Sequence, residues 1–165
     1  MTDEEVYTDA AVMGIVAGMR SMSAPAIVSQ LAKSGVMPVS DSSFSFLERP
    51  ATANTTAVLA VGEIIADKLP FMPKRTDAPA LIARAVSGGA SGGAIFSSKK
   101  RSVLTGTLLG VLAAVSATYA AYNLRKWLGE RFDIPDAVLA IAEDALVTGC
   151  GMLVLSSMRA DGETA

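Results

Sequence analysis

Apolar residues gather into five stretches along the chain, separated by short polar connections. The clearest runs from Ser102 to Leu124 without a single charge, between Lys99-Lys100-Arg101 and Arg125-Lys126-Trp127. A helix of about 20 apolar residues crosses the ~30 Å hydrocarbon layer of a bilayer. Basic residues and a tryptophan at its ends suit the headgroup interfaces. The first stretch, Ala10 to Leu31, carries Arg20 and Pro25 near its middle. The second lies between Pro50 and Pro70 and holds Glu63 and Asp67. The third, Ala80 to Phe96, is short, with Arg84 inside and two Gly-Gly pairs. The fifth, Ala137 to Leu155, contains Glu143 and Asp144 and follows Asp136, an N-cap candidate.

No strand-like alternation competes with these stretches. The pattern therefore predicts an all-α fold, a polytopic transmembrane helical bundle of four or five segments. The third stretch either crosses or re-enters. Glycine-rich backbone weakens a helix, and at membrane depth it is tolerated only against protein or water. One transmembrane domain over 10–157 is expected, between an acidic N-terminal tail (1–9) and a C-terminal tail (158–165).

Composition strengthens the membrane reading. Of 165 residues, 51% are hydrophobic and only 18% charged, and the mean hydropathy is +0.42, high for a soluble domain. Aromatics supply just 5%, so small residues dominate, as expected where helices approach closely in lipid. A net charge of −2 offers no basic footprint for nucleic acid. The absence of histidine removes imidazole zinc sites, histidine-ligated haem and histidine triads. Cys150, the sole cysteine, cannot form an intrachain disulfide. The acidic start, MTDEEVYTD, is unlike a signal peptide, so the first apolar stretch is expected to be retained. No metal or other cofactor is implied.

The informative residues are then the polar ones that lipid would penalise. A charge at the bilayer centre costs roughly 2.5–3.5 kcal/mol even on a generous scale, so such residues turn inward and pair. Glu63 and Asp67 are four apart and share a helix face. The natural pairing sets Arg20 and Arg84 against Glu63, Asp67 and Glu143, as a pathway or binding cluster or as a purely structural one. Gly14, Gly18, Gly106 and Gly110 follow a small-xxx-small pattern, continued by Ala114 and Thr118, which points to close helix–helix contact within or between subunits. Gly88, Gly89, Gly92 and Gly93 lack the G-x-x-x-x-G-K-[ST] context of a phosphate loop. Ser21, Ser23 and Ser87 can satisfy backbone freed near Pro25 and the glycines. None has a base that would make it a nucleophile, so no catalytic residue is assigned.

Two further patterns bear on topology. Ala57 to Glu63 echoes Ala137 to Glu143, and each preceding stretch has a spaced glycine pair. An inverted two-helix repeat around the Gly-rich third segment would produce this, a layout recurrent in transporters. With five crossings the lysines and arginines divide six against six. With a re-entrant third segment the N-terminal side holds eight against five. The even division leaves the positive-inside rule nothing to choose between and would also suit dual insertion as an antiparallel dimer.

Three runs carry a family resemblance: Gly18-Met-Arg-Ser-Met-Ser-Ala-Pro-Ala26, Gly62-Glu-Ile-Ile-Ala-Asp-Lys-Leu-Pro70 and Arg84-Ala-Val-Ser-Gly-Gly-Ala-Ser-Gly-Gly-Ala94. With Ala142-Glu-Asp-Ala-Leu146 following, the chain resembles domain-of-unknown-function family 4126 over roughly residues 10 to 157. That resemblance implies a small bacterial integral membrane protein, expected in the inner membrane, and carries no activity or site.

The expected function is a channel or transporter for a small ion or polar solute. The arginines would favour an anion, and one chain has few helices to enclose a path, so a homo-oligomer surrounded by membrane lipids is expected. The alternative is a non-transporting scaffold or lipid-binding protein whose charges only knit helices together. A third reading, an intramembrane enzyme, would use Glu63 and Asp67 to hold a divalent cation through oxygen ligands.

Overall fold

The computed structural model describes residues 2–66 and 77–164. Asp67, one of the cluster candidates, lies outside them. Six α-helices and no strand are present among the described residues: α1 (Asp3–Met19), α2 (Ser23–Lys33), α3 (Pro50–Ala66), α4 (Ala78–Ser98), α5 (Val103–Phe132) and α6 (Asp136–Thr164), with a single 3-10 turn at Ser45–Glu48. Two of them, α5 and α6, are long and apolar enough to cross a membrane.

The first apolar stretch is not one helix but two. Helix α1 starts with a capping box: Glu5 N donates to Thr2 Oγ1, and Thr2 N donates to Glu5 Oε2. It ends at Met19, because Arg20 is extended (φ −138°, ψ 104°). Helix α2 opens at Ser23, with Pro25 in its first turn, where the missing N–H costs nothing. At the other end of α2, Gly35 takes φ +76°, the left-handed conformation that lets a chain leave a helix cheaply.

Cross-helix pairings fix the directions. Asp3 meets Arg101, Gly14 faces Gly110, and Gly18 faces Ala114 and Thr118, so α1 runs parallel to α5. The rings of Tyr7 and Phe96 meet edge to face at 5.0 Å, and Arg84 reaches Gly18, so α4 runs antiparallel to both. Asp9 meets Ser157 and Arg20 meets Asp144, making α1 antiparallel to α6. Ile27 lies against Gly151, so α2 returns along α6 in the opposite sense to α1. Thus α1 and α2 form a helical hairpin that turns at Arg20–Met22. Because α1 and α5 are parallel, the segments sharing the spaced glycines are not related by inversion, which corrects the expected inverted repeat.

The centre of the bundle is the α1–α4–α5 contact. A Cβ added to Gly106 would sit 2.5 Å from Gly92 O, one on Gly88 2.6 Å from Gly110 O, and one on Gly14 2.7 Å from Gly110 O. These backbones touch directly. Helix α4 is accordingly continuous through its two Gly-Gly pairs, rather than re-entrant, because close contact with α1 and α5 outweighs the intrinsic helix penalty of glycine. The four glycines expected to make close helix contacts within or between subunits all make them within one chain, so a subunit interface would have to use other surfaces. Around this centre the core comprises Met13, Val16, Val28, Met37, Ile95 and Phe96. The outward faces of α3, α5 and α6 expose Val58, Val61, Leu104, Leu108, Leu112, Ile141, Met152 and Leu153. Small residues inside and large apolar ones outside is the arrangement that suits lipid as solvent.

Both end segments continue helices, with Asp3, Glu4, Glu5 and Arg159 exposed. Asp3 to Asp9 form the first turns of α1 with Val6 buried, and α6 continues past Leu155 with Met158 buried.

Candidate functional site

The charges expected at membrane depth converge on the α1–α2 turn. Ending one helix and starting another inside the bundle exposes carbonyls at the first and amides at the second, and each needs a partner when buried. On the carbonyl side, Arg84 Nη1 donates to Gly18 O (2.6 Å) and Met19 O (3.0 Å). The Thr118 hydroxyl lies 3.1 Å from Gly18 O and 2.8 Å from Ala114 O and can donate to either. Ser87 Oγ donates to Ser21 O. On the amide side, Glu63 Oε1 accepts from Ser21 N and Ser21 Oγ, both at 2.8 Å, and its Oε2 accepts from Met22 N at 2.8 Å. A guanidinium against a helix C-terminus and a carboxylate against a helix N-terminus also match the helix dipoles.

Arg20 turns the other way. It is 1% exposed, and its Nε and Nη2 donate to Asp144 Oδ1 at 2.9 and 2.8 Å. Of its expected partners, Asp67 lies outside the described residues, and for Glu63 and Glu143 this is a correction with two causes. Glu63 has turned to backbone amides. Glu143 and Asp144 are adjacent on α6 and therefore about 100° apart around it, which aims Glu143 at α5, where it accepts from Arg125 Nη2 at 2.7 Å. The structure therefore brings Arg20, Glu63 and Arg84 to one turn and places Glu143 in a neighbouring pair. Asp144, Arg125, Thr118 and Ser87 complete the two groups. The Arg125–Glu143 pair has a readable signal. The residues stand nine before and nine after Ile134, in a three-residue link between two long helices, so an antiparallel hairpin puts them side by side.

Helix α6 lies mainly against α1 and only lightly against α2 and α5. Two crevices flank it. One, of about 620 Å³, lies between α2, α3 and α6 and holds Ser23, Gln30, Ser34, Thr148 and Asp144 among apolar walls, with Arg159 at its far end. The other, of about 560 Å³, lies between α1, α5 and α6, is lined almost wholly by apolar groups, and holds Arg125 and Glu143 near one end, beside Leu128 and Leu139. Asp144, 30% exposed, opens the polar turn to the first crevice.

A second polar group, unanticipated from the sequence, gathers at the opposite end of the bundle. Lys99 pairs with Asp161, and Arg101 with Asp3. Asp9, one residue before the first apolar stretch, is 5% exposed, and its Oδ2 has no hydrogen-bond partner. Burial raises its carboxyl to about 6, opposed by a hydrogen bond from Ser157. Burial also lowers the ammonium of Lys99, with Asp9 acting against it.

Glu63 has both oxygens engaged by Ser21 and Met22. Among the described residues no three Asp, Glu, Cys or His side chains group as a metal site. The site's chemistry is hydrogen bonding and ion pairing around a broken helix.

No curated protein and no solved structure matches the chain. A family model does, over residues 10–157, almost all of the folded bundle. The chain belongs to the family described as Domain of unknown function (DUF4126).

Proposed function

We propose that the protein is a small integral membrane protein that carries or conducts a small polar solute or ion past the α1–α2 turn. The observation that supports this is the break at Arg20–Met22. Non-helical backbone at membrane depth is tolerated where it is enclosed by protein or lines a cavity, and discontinuous helices are a recurrent way to build a solute site. The turn lies level with Thr118 on α5, six residues short of the end of the charge-free run at Leu124, about 9 Å of helix. It therefore sits inside the proposed hydrocarbon layer, and the 620 Å³ crevice reaches it at Asp144.

In this reading α5 and α6 cross the bilayer, α3 and α4 complete a bundle of four spans, and the α1–α2 hairpin enters from the side of Arg101. A bacterial inner membrane and a homo-oligomer joined through faces other than the glycine contact are part of the same proposal. Arg20 selects an anion only where that anion displaces Asp144. The test is flux into liposomes. Wild-type protein should pass a small anion or polar solute, Arg20→Gln should abolish the flux, and Asp144→Asn should alter its anion dependence while the protein stays folded. Absence of flux across a broad ion and solute panel would remove the proposal.

The scaffold reading has one specific observation behind it: Glu63 and Arg84 are both engaged by backbone. Under that reading Asp144→Asn would change stability alone.

A further inference from the structure

We infer that the crevice between α1, α5 and α6 is a binding site for one phospholipid, with an acyl chain in the groove and the phosphate at Arg125. This rests on the membrane placement proposed above and is independent of transport. The groove's length supports it. Its α5 wall runs from Ala113 to Leu128, and the stretch up to Arg125 covers about 18 Å of helix at 1.5 Å per residue, close to the roughly 15 Å depth of one leaflet. Its floor is smooth and apolar, made by Ala117, Ala120 and Ala121 with Met19 and Leu146. A second copy's helix would need a groove running the whole ~30 Å span, and this one stops after about 22 Å.

The chemistry changes sharply at one end only. There Arg125 donates to Glu143, and Lys126 and Trp127 follow in sequence, both well exposed. That is the level at which the charge-free run stops and an aromatic and basic belt belongs. A guanidinium offers several donors in a planar fork, so Arg125 can keep Glu143 and present further N–H groups to a phosphate. Lys126 adds a mobile charge beside it. Glu143 also lines the groove and can accept from a headgroup ammonium, which favours a phosphoethanolamine lipid over a phosphoglycerol one.

The experiment counts lipid that stays bound when the full chain is extracted by detergent from vesicles of equal phosphatidylethanolamine and phosphatidylglycerol, read by native mass spectrometry. Ser116 and Ala120 are exposed positions one turn apart on the groove wall, so Ser116→Phe with Ala120→Phe fills the groove from its open side. Wild type should retain one phospholipid per chain, enriched in phosphatidylethanolamine. The filled variant should lose it at least tenfold, and Arg125→Gln should weaken it more than Glu143→Gln, which breaks the same ion pair and leaves the guanidinium in place. Equal retention in all four, or a crosslinked second copy protecting the groove in place of lipid, would overturn the inference. Resistance of the chain to alkaline extraction from membranes reads the membrane placement separately. A chain that resists extraction but shows no variant-dependent lipid sinks the groove alone.

Discussion

Replacing Gly110 with alanine should destabilise the protein by about 2 kcal/mol, although alanine is the better helix former. Position 110 lies where α5 meets α4 and α1. Its added Cβ would fall onto Gly88 O, with Gly88 C at 2.7 Å and Gly89 Cα at 3.3 Å. All three atoms are backbone, so no rotamer change relieves the overlap. Restoring ordinary contact near 3.5 Å requires α4 and α5 to separate by roughly 1 Å, a gap that forfeits a quarter to a half of each dispersion well along the contact. Overpacking of this kind costs about 1–3 kcal/mol, and more when the neighbour is rigid. Against it stands a propensity gain of about 1 kcal/mol. Gly149, on the same kind of helix, has nothing within 4 Å of its added Cβ. Gly149→Ala should therefore be neutral or stabilising by up to ~1 kcal/mol. The assay is thermal unfolding of both variants and wild type in one detergent. If Gly110→Ala melts at or above wild type, or Gly149→Ala falls as far, direct backbone contact is not what holds α4 and α5.

Three further outcomes follow from the charged groups. Asp144→Asn should destabilise more than Arg20→Gln, because Arg20 is buried while Asp144 rehydrates through the crevice; the double variant should recover about 1–3 kcal/mol relative to the sum, measured as a double-mutant cycle of melting. Glu63→Gln turns an amide donor toward Ser21 N and Met22 N, costing about 1–3 kcal/mol, and should speed hydrogen exchange at those two amides; unchanged exchange would contradict the capping role. Asp9 sits near 6, above its ordinary 3.8, so its contribution is full below about pH 4 and is lost as pH rises through 6. Asp9→Asn should accordingly match wild type near pH 4 and exceed it at pH 7.5 by about 1–2 kcal/mol once solvent screening is allowed for, and a variant less stable at pH 7.5 would refute this.

Much of the fold was legible because long apolar runs make the pattern coarse. A charge-free run between basic flanks leaves α5 no alternative, and α6 follows from its length and apolar content. The break in the first stretch was harder to read. Arg20 and Pro25 stood out as anomalies inside one span, when Pro25 is better read as a first-turn residue, which places a helix start two residues before it. The continuity of α4 was hidden for the opposite reason. Its glycines lower helix propensity locally, and their benefit comes only from partners on α1 and α5, a tertiary term with no local signature. The location of the cluster could be inferred from cost alone, since charges in lipid must turn inward. Their pairing could not, because a carboxylate such as Glu63 can cap backbone amides as well as pair with a guanidinium, and one residue's rotation separates Glu143 from Asp144.

The pairing divides the charges by what they do. Glu63 and Arg84 satisfy main-chain groups that the break itself creates, so their presence follows from having a broken helix and says little about cargo. Arg20 and Asp144 join side chain to side chain. The backbone of the turn does not require them, and two well-packed apolar residues there would commonly be as stable. A pair retained without a backbone to serve, with one member buried and the other opening on a crevice of about 620 Å³, is the part of the cluster with freedom to exchange partners. An incoming anion competes with Asp144 for Arg20, and a proton or cation competes with Arg20 for Asp144. Either exchange loosens α6, which is tied to α1 at this point and touches α2 and α5 only lightly. In the proposed transport reading the hairpin is a fixed floor, and α6, held also by the Arg125–Glu143 and Lys99–Asp161 pairs, is the element that an exchange at Arg20–Asp144 would shift.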